Sequence, residues 1–258
     1  MPSETILLSE HGGVARLLLN KPRRLNALDS QMLTTIEDSV SRWEESAEVA
    51  VLVVGSTQER AFCAGADLEA LAAMNEKRMQ EWEMLGNRVL DRLQNSSLIT
   101  IAALSGYILG GGLTLAAACD IRIAAENAIF AQPEIELGWI PGWGGVGRLA
   151  RLVGASRAKE LSMTGRRLNA TQAQPIGLVD EIVPSAQLQS RVSELATVLT
   201  QRSRQALQAI KDLADSLVPA ADRKAHRFDA LQNASLLNDP RGQAEIARFL
   251  ARKAAREQ

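Results

Sequence analysis

The sequence predicts an α/β protein in which parallel strands alternate with helices, followed by a region made only of helices. Up to about residue 144, apolar runs of strand length alternate with segments that have apolar residues at helical spacing. This order is typical of chains that form parallel sheets. Beyond residue 144, nearly every segment has helical spacing, and prolines separate the segments. The chain has 258 residues, 46% of them hydrophobic, which is enough for one large domain, alone or with an appendage.

The elements of the first part are predicted in order along the chain. Residues 5–10 and 14–19 form two strands joined by a turn at His11, Gly12 and Gly13. Asp29 or Ser30 caps a helix that ends near residue 45. Residues 56–66 are expected to be a loop. The remaining predictions are strands at 49–55, 99–104 and 121–124, and helices at 68–74, 76–94 and 111–118.

Six further helices are predicted after residue 144. Their ranges are 146–153, 155–163, 188–201, 203–217, 221–236 and 242–256. From about Thr200 onward, nearly the whole chain is predicted to be helical. Amphipathic helices of this kind must pack their apolar faces on the core of their own chain or on a neighbouring chain.

The composition excludes several classes of function. The formal net charge of -1 and an aromatic content of 3% provide neither the field nor the stacking surfaces for nucleic acid. Cys63 and Cys119 lie in apolar surroundings and are expected to be buried free thiols of a reducing compartment. The sequence shows no export signal and no apolar run of transmembrane length, so we expect a cytoplasmic protein without a membrane partner. With two histidines and no His/Cys cluster, no metal site is expected.

A glycine cluster followed by a carboxylate suggests a site for an oxygen that becomes negative. The apolar run at 99–104 leads into Gly106, Gly110, Gly111 and Gly112, where a short apolar helix begins. Adjacent glycines at a helix start are unfavourable for helix formation, so a ligand is expected to approach that backbone. The free N–H groups of a helix N-terminus stabilise such an oxygen. Glu134 follows Pro133 in a later loop.

Three segments resemble the crotonase (enoyl-CoA hydratase/isomerase) superfamily. They are NKPRRLNAL at 20–28, AFCAGADL at 61–68 and the segment 105–145 that contains the glycine cluster and QPE. Residues 163–184 are similar to the continuation usual in the family. The resemblance implies a spiral of strand-strand-helix turns at 1–199 and a helical oligomerisation region at 200–258. It also implies a homotrimer, or a hexamer built from two trimers.

The resemblance also implies an acyl-CoA thioester as substrate, with no cofactor other than the coenzyme A of that substrate. The N–H groups of Ala66 and Gly111 would stabilise a thioester enolate, and Glu134 would be the acid and base at the reacting carbons. A basic pair near the C-terminus, Arg252 and Lys253, is similar to one that reaches CoA phosphates. The substrate-binding residues implied are Arg24, Leu25, Ala64, Gly110, Thr114, Trp139 and Phe249.

Thr114 is the main departure from the family pattern. Typical hydratases have a second glutamate at this position, and two carboxylates then hold and activate water. Threonine cannot act as a base near neutral pH, and no replacement carboxylate is found in the motifs. One carboxylate suffices to move a proton between two carbons, so we expect double-bond isomerisation to exceed hydration.

The sequence leaves several alternatives open. Crotonase-type lyases, hydrolases and decarboxylases differ from isomerases in a few pocket residues. A non-catalytic acyl-CoA-binding or RNA-binding relative would be expected to lack Glu134 or an open glycine site, and both are intact in this chain. A dinucleotide-binding enzyme is disfavoured, because Gly142-x-Gly144-x-x-Gly147 does not follow a predicted strand.

Overall fold

The fold is built from ten strands in the described part of the chain. A computed structural model describes residues 5–217 and 223–257. The strands are β1 (Ile6–His11), β2 (Val14–Leu19), β3 (Val51–Ser56), β4 (Ala61–Cys63), β5 (Ile99–Leu104), β6 (Tyr107–Leu109), β7 (Ile121–Ala125), β8 (Ile129–Ala131), β9 (Leu168–Asn169) and β10 (Glu181–Val183).

The strands form two sheets that share a common pattern of connection. The larger sheet has the order β1-β2-β3-β5-β7-β10, and only β1 is antiparallel to its neighbour. The smaller sheet has the order β4-β6-β8-β9, with β4, β6 and β8 parallel. Thus β3, β5 and β7 each enter the larger sheet and are followed by a strand of the smaller one. These are the strand-strand-helix turns that the family resemblance implies, although β4, β6 and β8 themselves were not predicted.

Eleven helices follow or separate these strands in the described residues. Asp29 accepts a hydrogen bond from the N–H of Met32 and caps the first helix, as one of the two caps predicted. The helices are α1 (Ser30–Glu45), α2 (Leu68–Ala72), α3 (Glu76–Gln94), α4 (Gly111–Ala117), α5 (Gly145–Val153), α6 (Ala155–Thr164), α7 (Ala170–Ala173), α8 (Leu188–Thr200), α9 (Arg204–Ser216), α10 (Arg223–Leu236) and α11 (Pro240–Glu257).

The last helices cover the core of their own chain. Helix α10 packs on α3, and α11 packs on a short 3-10 helix at Pro133–Leu137. The predicted helix at 221–236 starts in residues 218–222, which lie outside the described part. Exposed apolar side chains nevertheless remain on α9, α10 and α11, namely Ile210, Leu213, Phe228, Leu231 and Phe249. The division at residue 199 stays a prediction.

The centre of the molecule is an apolar core on both sides of the larger sheet. Along β5, alternate residues face two different clusters, with Ala102 and Leu104 in one and Ile101 and Ala103 in the other. A strand buried on both faces reads as a continuous apolar run, which is why the 99–104 segment was predictable. Cys63 and Cys119 are buried and free, as expected.

Candidate active site

Two segments bring their backbones together at one end of the smaller sheet. Gly65 follows β4 and has φ +103, and a Cβ placed on it would lie 3.5 Å from the Gly111 nitrogen. Gly111 is the first residue of α4. No acceptor within the described residues takes a hydrogen bond from the N–H of Ala66 or of Gly111. The two N–H groups that the sequence singles out therefore belong to adjoining segments and are available to a ligand.

Glu134 lies beside this pair of segments. It is in the 3-10 helix Pro133–Leu137, which follows β8 directly. A Cβ on Gly110 would lie only 2.9 Å from Glu134 Oε1, and Gly110 has φ +52, so glycine is needed there on both counts. Glu134 Oε2 is buried and has no hydrogen-bond partner. The carboxyl group is thus free to act on a ligand held by the Gly111 N–H.

Burial shifts the proton affinity of Glu134. It raises the pKa of this carboxyl to about 7, although a hydrogen bond from the residue's own backbone N–H acts in the opposite direction. A carboxyl with a pKa near 7 is populated in both protonation states at neutral pH. It can therefore accept a proton and return it within one reaction.

The enclosed space around these groups is a small, largely apolar pocket of about 100 Å³, which we call the inner pocket. Trp82 and Trp143 pack edge to face with ring centroids 5.1 Å apart, and both line it. The lining also includes the predicted residues Ala64, Ala66, Gly110, Gly111, Glu134 and Trp139.

Thr114 is not part of this lining. It is fully buried, and its hydroxyl donates to the Gly110 carbonyl oxygen at 3.3 Å. The side chain faces Gly145, where an added Cβ would lie 2.8 Å from Thr114 Oγ1. Thr114 therefore lies behind the helix start and not in the pocket wall, and its contact with the substrate stays a prediction.

Glu83 is a second carboxylate in the inner pocket, and the sequence motifs did not reveal it. It lies on the buried face of α3. Its oxygens accept hydrogen bonds from Asn233 Nδ2 at 2.9 Å and from the Trp143 N–H at 3.1 Å. Burial raises the pKa of Glu83, and the charges of Asp229 and Glu134 act in the same direction, whereas the two hydrogen bonds lower it. The resulting pKa is about 8. The sequence signal that could have revealed Glu83 is its helical spacing from Met79 and Leu90, which places a glutamate on the apolar face of α3.

A second cavity, which we call the outer groove, adjoins the inner pocket at Ala64, Ala66, Leu68 and Leu137, which line both. Its volume is about 590 Å³. The predicted substrate-binding residues Arg24, Leu25 and Phe249 line it together with Arg252. Arg167 also lines it and was not predicted. Since the side chain of Lys253 is outside the described part, its predicted role stays untested.

The arrangement defines the kind of chemistry available. Among the described residues, no cluster of three or more His, Cys, Asp or Glu could hold a metal ion. None of the described helices is both long and apolar enough to cross a membrane. The site brings together two backbone N–H groups that have no acceptor in the described residues, two buried carboxyls, a small apolar pocket and a groove lined by arginines. This is a site for proton transfer next to a carbonyl that carries a long polar substituent.

Comparisons with known proteins identify the family. Residues 9–254 match the family model described as enoyl-CoA hydratase/isomerase. The short-chain-enoyl-CoA hydratase of Clostridium acetobutylicum is 37% identical over 211 residues, which cover 82% of this chain and 81% of that protein. The crotonyl-CoA hydratase of Syntrophomonas wolfei is 36% identical over 215 residues, covering 83% of each. The crystal structure of an enoyl-CoA hydratase from Bacillus anthracis matches with a TM-score of 0.80 at 32% identity, covering 92% and 91%.

The fold and the site are those of an acyl-CoA-processing enzyme. More specifically, the chain belongs to the enoyl-CoA hydratase/isomerase family of the crotonase superfamily. The resemblance inferred from the three sequence segments is therefore confirmed.

Proposed function

We propose that this enzyme acts on short-chain enoyl-CoA thioesters and shifts their double bond from position 3 to position 2 faster than it adds water. The observation that carries the proposal is the position of Glu134. Its unpartnered carboxyl lies against Gly110, at the start of the helix that offers the Gly111 N–H. The usual position of a hydratase's second glutamate is occupied by Thr114, whose side chain faces away from the pocket.

The proposed reaction begins with proton removal at the carbon between the carbonyl and the double bond. Ionised Glu134 takes the proton from C2, and the electron pair moves toward the thioester oxygen. The N–H groups of Ala66 and Gly111 stabilise that oxygen as it becomes negative. Return of a proton to C4 then gives the 2-enoyl product. Addition of water would require a water molecule to be held and deprotonated as well, which a single carboxyl does less well.

The size of the inner pocket supports a short acyl group. Its volume is about 100 Å³, and cavities of roughly 150 Å³ in proteins accommodate benzene. By proportion, the inner pocket has room for an acyl chain of about four carbons. Two of the relatives are named for short-chain enoyl-CoA and for crotonyl-CoA, which agrees with this size.

The test is a product analysis with paired substrates. Incubating 3-enoyl-CoA and 2-enoyl-CoA separately with the enzyme and following both by mass spectrometry separates an unchanged mass from a gain of one water. We expect isomerisation of the 3-enoyl ester to be at least ~10-fold faster than hydration of the 2-enoyl ester. Hydration that is as fast as isomerisation would overturn the stated preference.

Hydration is the second candidate, and a specific observation favours it. Glu83 supplies a second carboxyl in the inner pocket, and the relatives from Clostridium acetobutylicum and Syntrophomonas wolfei are both named hydratases. In that case Glu83, rather than a residue at position 114, would hold the water. Cleavage products in the same mass spectra would instead indicate a lyase, hydrolase or decarboxylase.

We also propose that the chain assembles as a homotrimer, or as a hexamer of two trimers, in the cytoplasm. The support is the set of exposed apolar side chains on α9 and α10, which include Ile210, Leu213 and Phe228. Ile210 and Leu213 are three residues apart and share one face of α9, and exposed apolar surface is typical of protein contacts. Analytical ultracentrifugation at micromolar concentration is expected to give three or six times the mass of one chain, and a monomer would overturn the proposal.

A further inference from the structure

The burial of Glu83 without a counter-charge requires a physical explanation. Its side chain is nine-tenths or more buried, with 5% of the residue exposed. Within the described residues, no lysine, arginine or histidine lies within salt-bridge distance of it. A buried carboxylate without a cation is unfavourable. Two hydrogen bonds, from Trp143 and Asn233, do not replace a counter-charge.

The groups around Glu83 make its ionisation harder. Asp229 on α10 and Glu134 on the 3-10 helix both act on it electrostatically, and both raise its pKa. Asn233, also on α10, and the backbone at Trp143 oppose them by donating hydrogen bonds. Burial raises the pKa of both carboxyls, and the charge of Glu134 favours the protonated form of Glu83. Two carboxyls that line one pocket, with one held neutral by the charge of the other, are the arrangement of an acid and a base.

We propose that Glu83 is a second catalytic residue, which delivers a proton to the substrate while Glu134 removes one. This rests on the proposed isomerisation. Ionised Glu134 takes the proton from C2, the dienolate charge rests on the thioester oxygen, and protonated Glu83 gives its proton to C4. The turnover leaves Glu134 protonated and Glu83 ionised. Glu134 then releases its proton to solvent water and Glu83 takes one proton from it, which restores the enzyme with no net change.

A purely structural role accounts for less of what is observed. Trp143 has φ +57, a region unfavourable for a bulky residue, and its N–H donates to Glu83 while its carbonyl oxygen accepts from Arg148 Nε. A neutral side-chain oxygen would hold that N–H without burying an ionisable group. The structural role explains the hydrogen bonds but not the placement of a carboxyl in the lining of the inner pocket.

Isotope transfer separates the one-residue and two-residue routes. The substrate is 3-enoyl-CoA deuterated at C2, incubated in ordinary water, and the product is examined for deuterium at C4. If Glu134 alone carries the proton, part of the deuterium arrives at C4. If Glu83 supplies the proton, C4 receives hydrogen from the solvent. We expect no deuterium at C4 with the native enzyme, and deuterium at C4 in even part of the product would overturn the proposal.

The variant Glu83→Gln completes the test. Its isomerisation rate should fall by about 10²-fold or more, the range typical of a lost acid or base, and its residual product should carry deuterium at C4. The matched control is Glu81→Gln. Glu81 lies on the same helix as Glu83, but its side chain is 63% exposed and it does not line the inner pocket. The control should keep the native rate within a few-fold, with no deuterium at C4.

The pH profile of the native enzyme gives an independent check that does not depend on any variant. Ionised Glu134 makes the rate rise through about pH 7, and protonated Glu83 makes it fall through about pH 8, with the two groups titrating as a pair. Glu83→Gln should lose the falling limb. A native rate that stays constant above pH 8, or a falling limb kept by Glu83→Gln, would overturn the role of Glu83. Absence of any isomerisation by the native enzyme would instead refute the proposed function itself.

Discussion

The outer groove and the inner pocket differ in whether their carboxyl groups have cationic partners. In the outer groove, the acids Asp67 and Glu69 are each paired with a base. Asp67 contacts Lys21 Nζ at 2.9 Å, and Arg24 forms an ion pair with Glu69. In the inner pocket, Glu134 has an oxygen without any partner. The two regions share part of their lining.

The same physical force therefore has different outcomes in the two regions. Burial tends to raise the pKa of Asp67, but the hydrogen bond and charge of Lys21, together with the charge of Arg24, outweigh it and lower the pKa. Burial of Glu134 meets no such cation and raises the pKa to about 7. A carboxylate that is paired with a cation stabilises the structure and stays ionised, whereas a buried carboxyl without a cation exchanges protons near neutral pH.

Among the changes that test this difference between the two regions, Glu134→Gln is expected to have the largest effect on turnover. The amide keeps the shape but cannot accept the C2 proton, so turnover should fall by about 10³-fold or more. Binding of a CoA ester, measured by calorimetry, should stay within a few-fold. Asp67→Asn is the matched change in the outer groove, and it should reduce stability more than turnover. Equal loss of turnover in both variants would contradict the distinction between the two regions.

The oxyanion donors provide the next largest effect. Gly111→Pro removes one backbone N–H, and we expect a loss of about 10²-fold or more in kcat. Gly111→Ala is the control, because any Cβ at this position would meet Trp143 Cζ3 at 2.5 Å, yet alanine keeps the N–H. The ratio of the two rates isolates the donor from the steric change. A ratio near one, with both proteins folded, would remove Gly111 from the site.

The raised pKa of Glu134 also predicts a dependence of stability on pH. The folded protein binds this proton more tightly than the unfolded chain, so its contribution is complete below about pH 4.5 and is lost as pH rises through about 7. The amide of the variant Glu134→Gln does not ionise, so this variant does not lose stability as pH rises. Its free energy of unfolding at pH 8 should exceed that of the native protein by up to about 3 kcal/mol. Urea unfolding of native and variant protein at pH 5 and pH 8 checks this, and an equal difference at both pH values would contradict it.

A smaller effect concerns the wall between two cavities. Trp139 lines the inner pocket and also a neighbouring cavity of about 840 Å³. Trp139→Ala should join them and favour longer acyl chains, with roughly a 10-fold rise in kcat/KM for an eight-carbon ester relative to a four-carbon ester. Competition between the two esters measures this ratio directly. An unchanged ratio would show that the acyl chain does not end at Trp139.

The smallest effect concerns the paired charges of the outer groove. Glu69→Gln removes the carboxylate partner of Arg24 and should strengthen binding of free coenzyme A by about 2- to 5-fold, since half-exposed ion pairs are worth roughly 0–1 kcal/mol. The gain should shrink at high salt because exposed charges are screened. Tighter binding that persists unchanged in 1 M salt would argue against an electrostatic cause.

The sequence predicted the parts of the site that depend on local backbone. Gly110 and Gly111 mark a helix start that a ligand can approach, and Glu134 follows in a loop with a defined motif. Each of these can be recognised from a few neighbouring residues. The same holds for β5, whose continuous apolar run reflects burial on both faces. The family followed from three such segments in the correct order.

The sequence did not predict what depends on packing between distant elements. Glu83 falls on the buried stripe of a helix that also has many exposed charges, so its orientation follows only from the contact of α3 with α10. The short strands β4, β6 and β8 have three residues each, too few for a periodicity. The direction of the Thr114 side chain depends on Gly145, which is 31 positions away along the chain and adjacent in space.

The hydrogen bond between Glu83 and Asn233 links positions 150 residues apart. A ribosome adds roughly 5–20 residues per second, so Glu83 leaves it many seconds before Asn233 does. During this interval the two sheets can assemble from their own residues, but the part of the inner pocket that α10 contributes is not yet present. Contacts between such distant positions form late in folding. The acid–base role proposed for Glu83 would therefore be complete only after α10 has docked on α3, late in the synthesis of the chain.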